Sequence, residues 1–346
     1  MNLMTKAGPI AFAFGLLLTT AAQAADVVNV YSARKEALIK PLLDEFSANT
    51  GIKVNLITGK ADALLKRLQV EGSASPADVF ITVDAGRLHR AKTAGVLKPI
   101  SLPALEQRIP ASLRDADGYW YGLTLRARPI IYAKQRVDIK RLSSYEALAD
   151  SVWDGRLCLR SSQSVYNQSL VAASIDAIGK EATQDWLDGM VENLAKPPSG
   201  GDTDQLKAVA AGVCDVTIAN TYYLGRLIKS DKPADQKVAS KLAVFWPNQS
   251  GTDNLGRGAH FNVSGAGLTK YGKHPQQAQQ LLAYLASDAA QRWYADINNE
   301  YPVVPGVAVS ATLESFGAYK MDPIALQILG EKNRQAVQLM DRAGWR

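Results

Sequence analysis

The stretch VVNVYSARKEALIKPLLDEFSANTGIKVNLITGKADALLKRLQVEGSASPADVFIT, residues 27–82, sets three apolar, β-branched runs around two amphipathic ones. Residues 27–32, 53–58 and 77–82 read as strands. Residues 35–51 read as a helix bent at Pro41 and stopped by Gly51, and residues 61–72 as a helix closed by Gly72. A further helix runs to Gly95. Strands separated by helices of this length imply right-handed βαβ units and a parallel sheet. Ligands of such sheets sit beyond the carboxyl ends of the strands. The positions to watch there are Ser32, Ala33 and Arg34, then Gly59 and Lys60, then Thr82, Val83 and Asp84.

Outward from this block the chain changes direction and starts again. After YWYGLTLRARPIIYA come a strand (GRLCLRSS), helices over QSLVAASIDAIGKEATQDWLDGMV, a Pro/Gly-rich break, the helix TDQLKAVAAG and the strand VCDVTIAN. LAVFWPNQ and AHFNVSGAGLT regain strand character, and the C-terminal DPIALQILGEKNRQAVQLMDRAGW reads as an amphipathic helix pair. The expectation is an α/β protein of two lobes. Each is a mixed, mostly parallel sheet flanked by helices, with strands crossing between them. The boundaries fall at residues 25–126 with 251–305, and 127–250 with 306–346. A cleft between two such lobes suits capture of a small ligand by closure.

The first 24 residues are expected to be removed. Lys6 supplies the positive start, Ile10–Leu18 an apolar core too short to span a bilayer, and Ala22-Gln23-Ala24 a cleavage site. This signal peptide directs the chain to the periplasm, and without a cysteine at the cleavage point no lipid anchor is expected. The formal charge of +6 falls to +5 once Lys6 is gone. Basic residues are scattered, which argues against a nucleic-acid surface, and no later segment is apolar enough for stable membrane insertion. Two cysteines bound for an oxidising compartment, Cys158 and Cys214, are expected to form one disulfide. That bridge would bring residues 161–166 close to residues 220–223.

Catalytic patterns are missing. There is no G-x-S-x-G, H-E-x-x-H, C-x-x-C or P-loop, and the three histidines, His89, His260 and His274, are isolated in sequence. The chain therefore reads as a non-enzyme. A metal site would have to use oxygen, and phenolate is a hard donor suited to Fe(III). CDVTIANTYYLGRL, residues 214–227, runs from a short strand through Asn220, a good N-cap residue, into Tyr222 and Tyr223. A helix start places both phenols near the positive end of the helix dipole, which lowers the cost of ionising them. Tyr166, in RSSQSVYNQSLVAA, sits at a similar transition. From the residues alone, rim aromatics with wet hydroxyls and metal ligands remain equal alternatives.

The segments at 27–54, SPADVFIT, RSSQSVYNQSLVAA and DVTIANTYYLGRL together resemble the periplasmic ferric-iron-binding proteins of bacterial ABC transporters, which are transferrin-like, type II solute-binding proteins. The similarity extends to EYPVVPGV at 300–307. It implies Tyr222 and Tyr223 as the iron-binding doublet and Tyr166 as a third ligand. It also implies a synergistic anion such as carbonate, held by Arg34 and by Arg126, with Arg128 as the competitor on the same strand face. An inner-membrane ABC permease is the implied partner, and the protein itself a monomer. Where many relatives carry a histidine, or histidine and tyrosine, after the first strand, this chain has Lys35 and Glu36. Where another branch carries a glutamate after ADVF, it has Val83. The implied set is thus three tyrosines plus an anion, with Glu36 a first-turn helix acid. Within the same fold, the alternative is a binder of an anion or small organic ligand without iron.

Overall fold

The computed structural model describes residues 26–251 and 253–346; the expected signal peptide lies outside the described residues. The opening block folds as its pattern dictates. Strands Val27–Ser32 (β1), Lys53–Thr58 (β2) and Val79–Val83 (β3) alternate with helices Lys40–Thr50 (α1), Ala61–Glu71 (α2) and Ala85–Thr93 (α3). Pro41 does not bend a long helix. It lies in the first turn of α1, after a separate 3-10 turn at Glu36–Leu38, where its missing N–H has no helical partner to lose.

A one-turn helix, Pro103–Glu106 (α4), leads to Tyr121–Ala127 (β4), which passes through Arg128 and Pro129 straight into Ile130–Ala133 (β5). Next come Leu157–Cys158 (β6), Val165–Ile178 (α5), Lys180–Glu192 (α6), Asp202–Ala211 (α7), Val216–Ile218 (β7), Thr221–Ile228 (α8), Pro233–Ser240 (α9) and Leu242–Phe245 (β8). Phe261–Leu268 (β9) returns to the first sheet, followed by Pro275–Leu285 (α10), Asp288–Trp293 (α11) and Tyr301–Pro302 (β10). Ala311–Glu314 (α12), Ile328–Glu331 (α13) and Asn333–Arg342 (α14) close the chain.

The two sheets are mixed. The first has the order β10-β4-β9-β3-β1-β2 and the second β6-β7-β5-β8. Their parallel share is smaller than the sequence suggests: only β1–β2, β1–β3 and β6–β7 pair in parallel. The remaining pairings are antiparallel: in the first sheet β9 returns between β3 and β4 and runs opposite to both, and in the second β5 runs opposite to β7 and β8. The strands of the second segment are also shorter than expected. GRLCLRSS pairs only over Leu157–Cys158 and VCDVTIAN only over Val216–Ile218, and each short strand is followed by a helix, α5 or α8.

One buried cluster under the first sheet continues through Leu206, Val209 and Leu224 of the second segment. A second, built on Trp153, Leu187, Met190 and Trp345, lies under β5–β7 and takes in Ala336, Leu339 and Met340 of α14. The closing helices thus bury an apolar face, as their amphipathic pattern requires. Among the described residues no helix is long and apolar enough to cross a membrane.

Candidate metal centre

The tyrosine doublet occupies the first turn of α8, as its sequence context predicts. Asn220 holds the N-cap position in extended geometry, φ −70° and ψ 137°. Its side chain does not cap the helix. The amide Oδ1 accepts from Arg128 Nη1 at 3.0 Å, and Nδ2 donates to the Tyr222 hydroxyl at 3.3 Å. The rings of Tyr222 and Tyr223 lie against each other, centroids 4.3 Å apart and planes tilted by 36°, and both line one cavity of about 200 Å³. A helix start allows this, because consecutive side chains there diverge by only about 100°.

Tyr166, second residue of α5, lines the same cavity, and its hydroxyl accepts from Tyr222 at 3.3 Å. Two constraints bring the two helix starts together. Strands β6 and β7, which precede them, pair in parallel, and Cys158 is disulfide-bonded to Cys214 with Cα atoms 5.8 Å apart. Asn167 adds a third, donating to the carbonyls of Arg160 and Ser161 and so holding the loop before α5.

The facing wall comes from the first sheet. Arg34, just past β1, and Arg126, near the end of β4, line the cavity and are buried. Nε and Nη2 of Arg126, and Nε and Nη1 of Arg34, have no hydrogen-bond partner among the described residues. Arg126 lies 5.1 Å from the Tyr166 ring centroid and 6.0 Å from that of Tyr222. Arg128 is committed elsewhere: Nη1 donates to Asp202 (2.8 Å) and Asn220, and Nη2 to Asn167 (2.6 Å). Strand alternation puts residues 126 and 128 on one face, but β4 ends at Ala127 and Arg128 belongs to the crossing segment. Of residues 126 and 128, only Arg126 lines this cavity, where it keeps donors free as Arg34 does.

Val83 and Lys35 also line the cavity, whereas Glu36 is exposed and outside it. Asp84 is absent from the lining; its buried carboxylate accepts from Gly86 N, Ser169 Oγ and Asn262 Nδ2 and caps α3. Gly59 and Lys60 are exposed and remote from the lining. None of the histidines enters the cavity. His274 Nδ1 pairs with Asp78 at 2.9 Å. His260 is buried behind Arg126, where burial, then Arg128 and Arg257, depress its pKa to about 3, so it stays neutral.

Glu300, like Arg226 at the rim, is a cavity residue that sequence reasoning missed. Its Oε2 accepts from Arg34 Nη2 at 3.0 Å and from Thr124 Oγ1 at 2.6 Å. Asn299, at φ 54°, turns the chain so that Glu300 enters the cavity. Gly225 of α8 permits the close approach, since a Cβ there would lie 2.9 Å from Asn299 Cβ. The only sequence signal was an acidic residue opening the similar segment at 300–307, which reads equally as a surface charge.

The three phenols do not ionise alike. Burial raises Tyr166, but the Arg126 guanidinium and the bond from Tyr222 outweigh it and hold Tyr166 below an ordinary tyrosine. Burial raises Tyr222 well above the usual value, with the neighbouring oxygens of Tyr166 and Tyr223 adding to it, and Tyr223 is raised by burial, Tyr166 and Asp202. Three oxyanions this close repel one another, so the cluster supports full ionisation only around a multivalent cation. Among the described residues no cluster of histidine, cysteine, aspartate and glutamate could hold a metal. A larger cavity of about 540 Å³ lies between α8, α9 and β8, but its one charged residue, Lys134, already donates to the Ser240 carbonyl. The smaller cavity carries the convergent chemistry.

Residues 31–292 match the family described as bacterial extracellular solute-binding protein. Iron uptake protein A1 of Synechocystis sp. PCC 6803 is 46% identical over 92% of this chain and 87% of its own length. Among solved structures, the Trichodesmium protein IdiA (FutA), in complex with iron and citrate, is 48% identical with a TM-score of 0.88, covering 92% of this chain and all of that one. The Bordetella ferric binding protein is 39% identical with a TM-score of 0.85, covering 92% and 99%.

Proposed function

Because the chain belongs to the bacterial extracellular solute-binding proteins, we propose that it captures ferric iron between two lobes and delivers it to the permease of an ABC importer. The observation that carries this reading is the convergence of Tyr166, Tyr222 and Tyr223 on one cavity opposite two buried, underused guanidinium groups. The iron-binding names of its relatives support the same cargo and offer none to capture of an anion without iron. Solute-binding transport proteins are not enzymes, and the proposed role requires no covalent step.

The lobes are residues 25–126 with 251–305, and residues 127–250 with 306–346. The presence of two separate sheets supports this division, and α13 packs on both α3 and α5. The site works by charge matching. Ferric iron stabilises the phenolates of Tyr166, Tyr222 and Tyr223, and each phenol gives up its proton as the ion enters. The start of α8 places two of them at the positive end of its dipole. Arg34 and Arg126 hold two oxygens of a small planar anion that completes the shell; carbonate fits this role. Citrate accompanies iron in the Trichodesmium structure, so a carboxylate is the second anion to test. Residues 1–24 direct export to the periplasm, where the protein acts as a soluble monomer.

The experiment is a titration of metal-free protein with ferric iron in bicarbonate. A visible tyrosinate-to-iron charge-transfer band is expected, lost or strongly blue-shifted in Tyr222→Phe and Tyr223→Phe. Colourless wild-type protein that retains no iron after desalting would refute the proposal.

A further inference from the structure

Glu300 puts a negative charge where an anion site calls for positive ones. Its Oε2 is fixed by Arg34 and Thr124, and its Oε1 accepts no hydrogen bond among the described residues while Glu300 lines the cavity. A glutamine could accept the same two bonds, so the geometry alone does not call for a carboxylate; its charge is what needs a role. The position is also built: the Asn299 turn and the missing Cβ of Gly225 deliver Glu300 to the space facing the tyrosines.

Before metal arrives, Glu300 is the one acidic side chain among the described residues lining that space, and it offsets part of its buried positive charge. Arg34 and Arg126 are the buried cations, and Glu300 is bonded to the first and lies within electrostatic reach of the second. Asp84 acts on Arg126 from behind the wall. Lys35 is exposed and Arg226 half-buried at the rim, stacked on Tyr222 and Tyr223, where water screens them more.

We propose that Glu300 makes oxyanion capture conditional on the metal. Its charge offsets the pull of Arg34 and Arg126 on a free anion, and an anion is held firmly only when it also ligates the ferric ion. Glu300 is thus a specificity-determining residue that keeps the empty cleft from filling with the abundant anions of its surroundings. The inference rests on the anion-holding roles proposed above for the two arginines.

The test is calorimetry of metal-free, dialysed protein with sulfate, comparing wild type, Glu300→Gln and Glu300→Asp. Removing a buried charge within a few ångströms of the anion should tighten sulfate binding to Glu300→Gln at least about tenfold. Glu300→Asp keeps the charge and should stay near wild type. Unchanged or weaker sulfate binding in folded Glu300→Gln would overturn the proposal, as would an equal gain in Glu300→Asp. Loss of ferric affinity in Glu300→Gln with no gain for sulfate would make Glu300 a metal ligand and also overturn it. Because no iron enters the calorimetry, failure of the ferric reading itself would show separately, as a wild-type protein without a charge-transfer band.

Discussion

Arg126 and Arg128 stand two residues apart, are both buried, and should fail in opposite ways when changed to glutamine. Arg128 spends its terminal nitrogens on Asp202, Asn220 and Asn167. Removing one partner of a buried ion pair costs about 3–5 kcal/mol, but Asp202 keeps Arg160 at 3.1 Å and the Asn220 backbone N–H at 2.9 Å. We expect about 3 kcal/mol of lost stability for Arg128→Gln, or a fall in Tm of roughly 5 °C in a chain of this size. Arg126 has Nε and Nη2 buried without partners, so Arg126→Gln removes little protein–protein bonding and should leave Tm within about 2 °C. Its loss falls on binding. Two charge-assisted hydrogen bonds to the anion, at about 1.5–3 kcal/mol each, vanish together with the charge that holds Tyr166 below an ordinary tyrosine. Even about 3 kcal/mol is a hundredfold loss of ferric affinity. Differential scanning calorimetry of the metal-free proteins and chelator competition monitored at the charge-transfer band measure the two effects. Arg126→Gln with wild-type iron affinity, or Arg128→Gln with wild-type Tm and lost affinity, would refute this assignment of roles.

Ferric affinity should fall steeply on acidification, because the metal must displace protons from phenols that burial holds protonated. The expected dependence is roughly two to three decades per pH unit near neutrality, read by chelator competition; a slope below one would mean that the tyrosines do not ligate. Asp78 offers a stability test away from the site. Burial raises its pKa, but hydrogen bonds from Asn29 and His274 outweigh that and leave it below the ordinary carboxylate value. A lowered folded pKa contributes stability above the unfolded value of about 4. That contribution is lost as pH falls through the folded value. Asp78→Asn should therefore lower Tm at pH 7, and the gap to wild type should shrink as the pH falls below about 4.

Much of the fold was legible because strands and helices announce themselves by period. Val27–Ser32, Lys53–Thr58 and the α1–α3 helices follow from local apolar patterning, as does the amphipathic α14. The antiparallel share was not legible, since it depends on β9 returning beside β4 after 133 intervening residues, and local pattern carries no pairing register. The shortness of β6 and β7 has the same origin, since where pairing stops depends on the partner strand, which no propensity records.

For the site, sequence alone could set Tyr222 and Tyr223 together, because they are adjacent on a helix start whose signals are local. It could also name the two cysteines as partners, because there were only two and the N-terminal pattern reads as an export signal. It could not separate Arg126 from Arg128, since period-two alternation treats them alike until the strand is seen to stop at Ala127. Nor could it find Glu300, whose role comes from Arg34, 266 residues away. Residue type and local spacing determine which chemistry a chain can offer. Which of those groups keep free donors, and which charges cancel, depends on contacts between distant segments, and those exist only once the two sheets face each other.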